Sequence, residues 1–188
     1  MTVMEESSFL IPSVTLQAAH LEEGMQVADF GAGSGFFTIA AAGLVGASGV
    51  VWAVDMQPEL LTRIKNHAEA AHHKNVEIVR GDLEASKGSN LPAEQFDLVI
   101  VTNILFSLED KPALIQEAWR VLKQDGQVLV VDWRDSFDGM GPHQDHIITA
   151  GVARDLFEKS GFSYVGDAPA GGYHWGFLVR KNHVKGHE

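Results

Sequence analysis

The chain contains no cysteine. Disulfide staples, thiolate metal sites and a cysteine nucleophile are therefore excluded. Basic residues are scarce too: 14 lysines and arginines stand against 25 aspartates and glutamates, a formal net charge of -11. A surface of that sign repels phosphate backbones, and the few cations are scattered, so no nucleic-acid partner is expected. No apolar run reaches the length of a membrane span. The opening "MTVMEESSFLIPS" lacks the basic start and apolar core of a secretory signal, which points to a cytoplasmic protein. Internal repeats, low-complexity tracts and linker-like stretches are missing as well.

What is present fits one folded unit. The 188 residues, 45% of them hydrophobic, suit a single domain over 1–188 with a sizeable core, a capping segment over 1–23 and a flexible tail over 182–188. Short apolar runs at 25–30, 49–55, 76–80, 96–102 and 127–133 read as strands. Helical patterns fall at 36–46, from Pro58 to about His72, at 111–122 and near 149–160. The stretch 12–23 reads as a capping helix with Ser13 as its N-cap. "DG" at 125–126 marks a turn, and "GDLEASKGSNLPAEQ" and "DSFDGMGPHQD" read as loops. Helices or long connections separate the first five strands, which predicts a parallel sheet covered on both faces. The runs at 162–168 and 173–181 lie close enough to form an antiparallel hairpin across "PAGG".

The stretch "VADFGAGSGFFTIAA" (27–41) carries the chemistry. Gly31, Gly33 and Gly35 follow a strand and precede a helix, where a backbone turns sharply and a ligand approaches closely. A dinucleotide fingerprint would place its third glycine at position 36, but that residue is Phe36. Asp29 adds a carboxylate that a phosphate would avoid and a cationic ligand would favour.

With these residues, "VADFGAGSG" resembles the first motif of the class I, Rossmann-like methyltransferases that use S-adenosylmethionine. "VWAVDMQPELL" (51–61), "VRGDLEAS" (79–86), "FDLVIVTNILFSL" (96–108) and "AWRVLKQDGQVLVVDW" (118–133) resemble the later motifs in order, over about residues 20 to 181. Compact members similar to the quinone-biosynthesis and arsenite methyltransferases come nearest. The resemblance implies a doubly wound, three-layer α/β fold with a seven-stranded, mostly parallel sheet of order 3-2-1-4-5-7-6, its last strand antiparallel. It implies S-adenosylmethionine as cofactor and in-line methyl transfer to a small-molecule acceptor.

The roles that the resemblance assigns follow the motifs. Asp55, 20 residues after Gly35, would accept both ribose hydroxyls, since a carboxylate has two oxygens for a cis-diol. Asp82, with Gly81 and the Leu83 amide, would read the adenine. Asp29 would fix the loop or reach the methionyl ammonium. Gly31, Ala32, Gly33 and Gly35 would give close backbone approach. Asn103 would offer its carbonyl to the same ammonium or its side chain to the acceptor. Met56 and Ile104 would sandwich the adenine, although Met56 equally fits the core.

The acceptor side is less defined. Related enzymes often carry histidines after the fourth strand, whereas this chain has Phe106 and Ser107. Phe106, Asp132, Trp133 and Tyr173 are substrate-side candidates, and His143, His146 and His174 are candidate bases. His143 and His146 lie three apart among Asp135, Asp138 and Asp145, yet no metal site is expected. Arsenic chemistry, which in similar enzymes uses thiolates, is disfavoured by the missing cysteine. The magnesium-dependent catechol type is disfavoured because Asp132 and Asn103 supply too few ligands. Two rivals remain: a nicotinamide-dependent oxidoreductase, and a cofactor-binding protein without transfer activity.

Overall fold

The structure, a computed structural model, describes residues 9–137 and 140–183. Residues 1–8 of the capping segment, 184–188 of the tail (His187 among them) and Asp138 therefore lie outside the described residues. Seven strands form one sheet: β1 (Gln26–Phe30), β2 (Val50–Asp55), β3 (Val76–Arg80), β4 (Phe96–Thr102), β5 (Leu122–Trp133), β6 (Phe162–Asp167) and β7 (His174–Lys181). Their order is β3-β2-β1-β4-β5-β7-β6, as the resemblance implies. The pairs from β3 through β5 are parallel, and β7 runs antiparallel to both β5 and β6.

Five helices, α1 (Pro12–Gln17), α2 (Phe36–Val45), α3 (Pro58–Ala70), α4 (Lys111–Val121) and α5 (Ala150–Lys159), cover the sheet. Alternation along β1 divides the core. Val27 packs with Leu16 of α1 and Phe37, Ala41 and Val45 of α2. Ala28 and Phe30 belong to the opposite cluster, with Leu114 and Ile115 of α4 and Phe157 of α5. Pro58 opens α3 in the first turn, where its missing N–H costs nothing. The Asp110 and Thr149 side chains cap α4 and α5 by accepting the Ala113 and Val152 amides.

The structure corrects several sequence readings. Helix α1 ends at Gln17, and its N-cap is Ile11 rather than Ser13. Pro12 takes the first helical position and fixes the start one residue earlier; His20, at φ 48, then turns the chain out of the helix. Strand β5 begins directly at Leu122 and runs through the expected turn, which survives as Asp125 at φ 63 beside a register shift opposite Phe96 and Leu98. Strand β3 is not buried on both faces: it is the sheet edge, no helix follows it, and Ile78 is exposed. Among the described residues no helix is long and apolar enough to cross a membrane.

Candidate active site

Strand order reverses between β2 and β4 on either side of β1, and a crevice opens at the carboxyl ends of these strands. The loop after β1 forms its floor. The Gly31 and Ala32 amides donate to the Val54 carbonyl at 2.8 and 3.0 Å, which ties the loop to β2. Gly31 and Gly35 sit at φ 67 and 79, a region that favours glycine. A side chain at Gly31 would collide with Ile104, and one at Gly35 would meet Ile64 Cγ1 at 2.7 Å. Gly35→Ala is thus expected to destabilise the protein by about 2–4 kcal/mol, through left-handed strain plus overpacking. An unchanged melting temperature would contradict this.

Two clefts share the loop. The first, of about 420 Å³, takes Gly31 and Gly33 from the loop, Asp55 and Met56 from the end of β2, Gly81, Asp82 and Leu83 after β3, and Asn103 and Ile104 after β4. Met56 is exposed there, so it belongs to the wall and not to the core. Asp82 Oδ1 accepts the Glu84 amide at 3.0 Å, which shapes the turn carrying the Leu83 amide. Asp55, at the end of β2, is buried. Its Oδ2 accepts the Gly33 amide at 3.0 Å and its Oδ1 the Gln57 amide at 2.9 Å. The carboxylate thus braces the glycine loop while keeping lone pairs for a diol.

The second cleft, of about 510 Å³, shares Gly31, Gly33 and Asn103 with the first and adds Ala32. Its other walls include Phe9, Leu10 and Phe37 on one side and Thr102, Trp133 and His174 on the other. Trp133 and His174 are register partners across β5 and β7, and their rings lie 4.3 Å apart. Three polar groups at or behind these walls lack partners: Asp29 Oδ1, Asn103 Oδ1 and both nitrogens of His174.

Asp29 lies beneath the loop and on neither cleft wall. Its Oδ2 accepts the Thr38 hydroxyl at 2.6 Å, pinning the start of α2 to β1. Burial pushes its pKa up to about 6, with the Asp55 charge adding to the rise against the Thr38 hydrogen bonds. Gly35 is buried at the start of α2, outside both clefts.

The acceptor-side candidates divide. Asp132 is fully buried; it accepts the Phe106 and Trp133 amides at 3.3 and 2.7 Å and holds the short turn Leu105–Ser107. Its pKa is pushed up to about 6 by burial. Neither Asp132 nor Phe106, both substrate-side candidates, lines either of the two clefts. Tyr173 packs against Phe9 and Phe137, at 5.7 and 4.7 Å between ring centroids, behind the second cleft. His143 and His146 are exposed on a 3-10 turn, with His143 3.2 Å from the Asp145 carboxylate, and line no cleft. Among the described residues no three His, Asp or Glu side chains converge to hold a metal. Of the three candidate histidines, only His174 faces a cleft.

Phe36 and Phe37 escaped the sequence reading. Consecutive helical residues point about 100° apart, so one of two adjacent phenylalanines can face the core while the other looks outward. Phe37 is buried, whereas Phe36 is 71% exposed at the mouth of the second cleft.

Residues 21–160 match the family model described as "Methyltransferase domain". The chain is 39% identical over 122 residues to an arsenite methyltransferase from Aquipseudomonas alcaligenes, covering 62% of this chain and 35% of that protein. It is 31% identical over 123 residues to a ubiquinone/menaquinone biosynthesis C-methyltransferase from Neisseria meningitidis serogroup C, covering 63% of this chain and 47% of that protein. It therefore spans between a third and a half of these curated relatives. The crystal structure of a SAM dependent methyltransferase from Aquifex aeolicus superposes with a TM-score of 0.83 at 24% identity, covering 92% of this chain and 90% of that one. At that identity the likeness concerns the fold.

Proposed function

The chain belongs to the class I S-adenosylmethionine-dependent methyltransferases, and from that premise we propose that it transfers a methyl group to a small-molecule acceptor in the cytoplasm. One observation carries the reading: two clefts share the Gly31–Gly33 loop and Asn103, so donor and acceptor can approach from opposite sides of one point. In the first cleft Asp55 would hold the ribose, Asp82 and the Leu83 amide the adenine, and Met56 and Ile104 its faces. The unpartnered Asn103 Oδ1 and the buried Asp29 charge suit a ligand with an ammonium and a sulfonium. Bound there, S-adenosylmethionine supplies an activated methyl group; the protein orients the acceptor and excludes water.

Arsenite is not proposed as the acceptor, because the chain has no thiolate to hold it. Neither is nucleic acid, given the net charge of -11. The test is incubation with methyl-labelled S-adenosylmethionine and a panel of small acceptors. Label in a small-molecule product supports the reading. Binding without transfer to any acceptor would favour the non-catalytic alternative, and NADH turnover would favour the oxidoreductase.

The Asp29 charge has a measurable consequence. Its pKa near 6 means that the carboxylate is mostly ionised at pH 7.5 and mostly protonated at pH 5. A cationic ligand favours the ionised form, so S-adenosylmethionine should bind up to about tenfold more weakly at pH 5 than at pH 7.5. Asp29→Asn should flatten that dependence; an equally steep profile in the variant would remove Asp29 from the account.

A further inference from the structure

Two segments form facing walls of the first cleft. One is the turn after β3, with Gly81, Asp82, Leu83 and Glu84; the other is the stretch after β4, with Asn103, Ile104, Ser107 and Leu108. Glu84 spans from one to the other. Its Oε1 accepts the Glu109 amide at 2.7 Å and the Asp110 amide at 2.6 Å, across 25 and 26 positions of chain. Its own amide donates to Asp82 Oδ1 at 3.0 Å. One residue thus connects Asp82 to the opposite wall. Among the described residues no other hydrogen bond joins 81–84 to 104–110.

This placement runs against the local charge. Glu84 is exposed, and ordering an exposed glutamate costs side-chain entropy. It is ordered toward two further acidic residues, in a chain of net charge -11. What holds it is geometry: two successive amides converge on one oxygen, and they precede α4, whose N-terminal end favours negative charge.

The wall after β4 is anchored independently. Ile104 lies over Gly31, where an added side chain would collide with it. Asp132 accepts the Phe106 amide, and Lys111 Nζ donates to the Leu108 carbonyl at 2.8 Å. The turn after β3 is held less broadly: the Gly81 amide donates to the Asp55 carbonyl at 3.1 Å and the Asp82 amide to the Gly88 carbonyl at 2.9 Å. Glu84 is what sets this turn against the anchored wall.

We propose that Glu84 is a positioning residue for base selection: it fixes Asp82 and the Leu83 amide relative to Ile104 so that adenine is accepted and hypoxanthine is refused. The inference rests on the methyltransferase reading above, with the adenine in the first cleft. Asp82 Oδ1 is engaged with the Glu84 amide, which leaves Oδ2 for the amino group of adenine, and the Leu83 amide donates to the neighbouring ring nitrogen. Hypoxanthine turns a carbonyl to the carboxylate and an N–H to the amide, so both contacts become repulsive. That discrimination requires a turn that cannot give way. Glu84 itself touches neither base.

The test is calorimetric titration of wild type, Glu84→Ala and Glu84→Gln with S-adenosylhomocysteine and S-inosylhomocysteine. The wild type is expected to bind the adenine compound at least about a hundredfold more tightly, since two hydrogen bonds are replaced by clashes. In Glu84→Ala that preference is expected to fall about tenfold, because S-adenosylhomocysteine loses affinity and S-inosylhomocysteine does not. Glu84→Gln keeps an oxygen for both amides and is expected to restore most of the preference. An unchanged preference in Glu84→Ala, with both compounds weakened equally or not at all, is what a merely structural strap would give, and it overturns the inference. A Glu84→Gln as indiscriminate as Glu84→Ala overturns it too, as does a wild type that binds both compounds alike. A wild type that binds neither overturns the underlying cofactor reading instead.

Discussion

Asp55→Ala is expected to weaken S-adenosylmethionine binding about a hundredfold while leaving the sheet folded. The ribose hydroxyls would lose a charged acceptor, an interaction typically worth about 1.5–3 kcal/mol. The structure adds a second loss. Asp55 braces the glycine loop through the Gly33 amide and the start of α3 through the Gln57 amide. Without it the loop must be ordered by the ligand, which places the effect near the top of that range. Both amides lie at the crevice, where water can replace the carboxylate, so the melting temperature should change little. Asp55→Asn should fall between the two, since one amide oxygen cannot serve both N–H groups and a diol. Unchanged calorimetric affinity in Asp55→Ala would contradict the assignment.

Glu117→Ala is expected to lower the melting temperature by about 6–12 °C, corresponding to roughly 3 kcal/mol. Glu117 is 4% exposed on α4. Its carboxylate accepts from Arg120 at 2.6 and 2.7 Å, from the Ser89 amide at 3.1 Å and from the Ser89 hydroxyl. Arg120 also donates to the Leu91 carbonyl at 2.7 Å. This cluster fastens the β3–β4 loop to α4, and the same loop carries Gly81, Asp82 and Leu83 to the first cleft. Removing the carboxylate leaves a partly buried guanidinium without its counter-ion and the Ser89 amide without its acceptor. Cofactor affinity should therefore fall along with stability.

The cluster also has a pH signature. Burial works to raise the Glu117 pKa, but hydrogen bonds from Arg120 and Ser89 outweigh it and hold the group below its ordinary 4.5. A depressed carboxylate contributes stability in full above the unfolded value, and that stability is lost as pH falls through the folded value. Wild-type protein should thus lose stability below pH 4.5 more steeply than Glu117→Gln. Parallel acid-melting curves would contradict it.

Sequence periodicity placed β3 and β4 at their observed bounds, because both are short apolar runs between unmistakable breakers. The sequence also singles out Asp55, the acid that ends β2 and stands in the wall of the first cleft. Contacts across the sheet were not legible. Trp133 and His174 are neighbours only through the β5–β7 register, which no local pattern encodes. The Ser89–Glu117 bond joins positions 28 apart, and in the sequence Glu117 reads as an ordinary surface residue of an amphipathic helix. Asp132 near the end of β5 is a further contact that the sequence does not encode: it accepts two amides of its own chain, one of them the distant Phe106 N–H. His143 and His146 are exposed on their turn and line neither of the two clefts.

Calorimetric titration of the wild-type protein with S-adenosylmethionine, S-adenosylhomocysteine and NADH tests the central claim most directly. Saturable binding of the two adenosyl ligands, with no heat from NADH, is the predicted result. Binding of NADH alone, or of none of the three, would contradict the assignment of the Gly31–Asn103 crevice to S-adenosylmethionine.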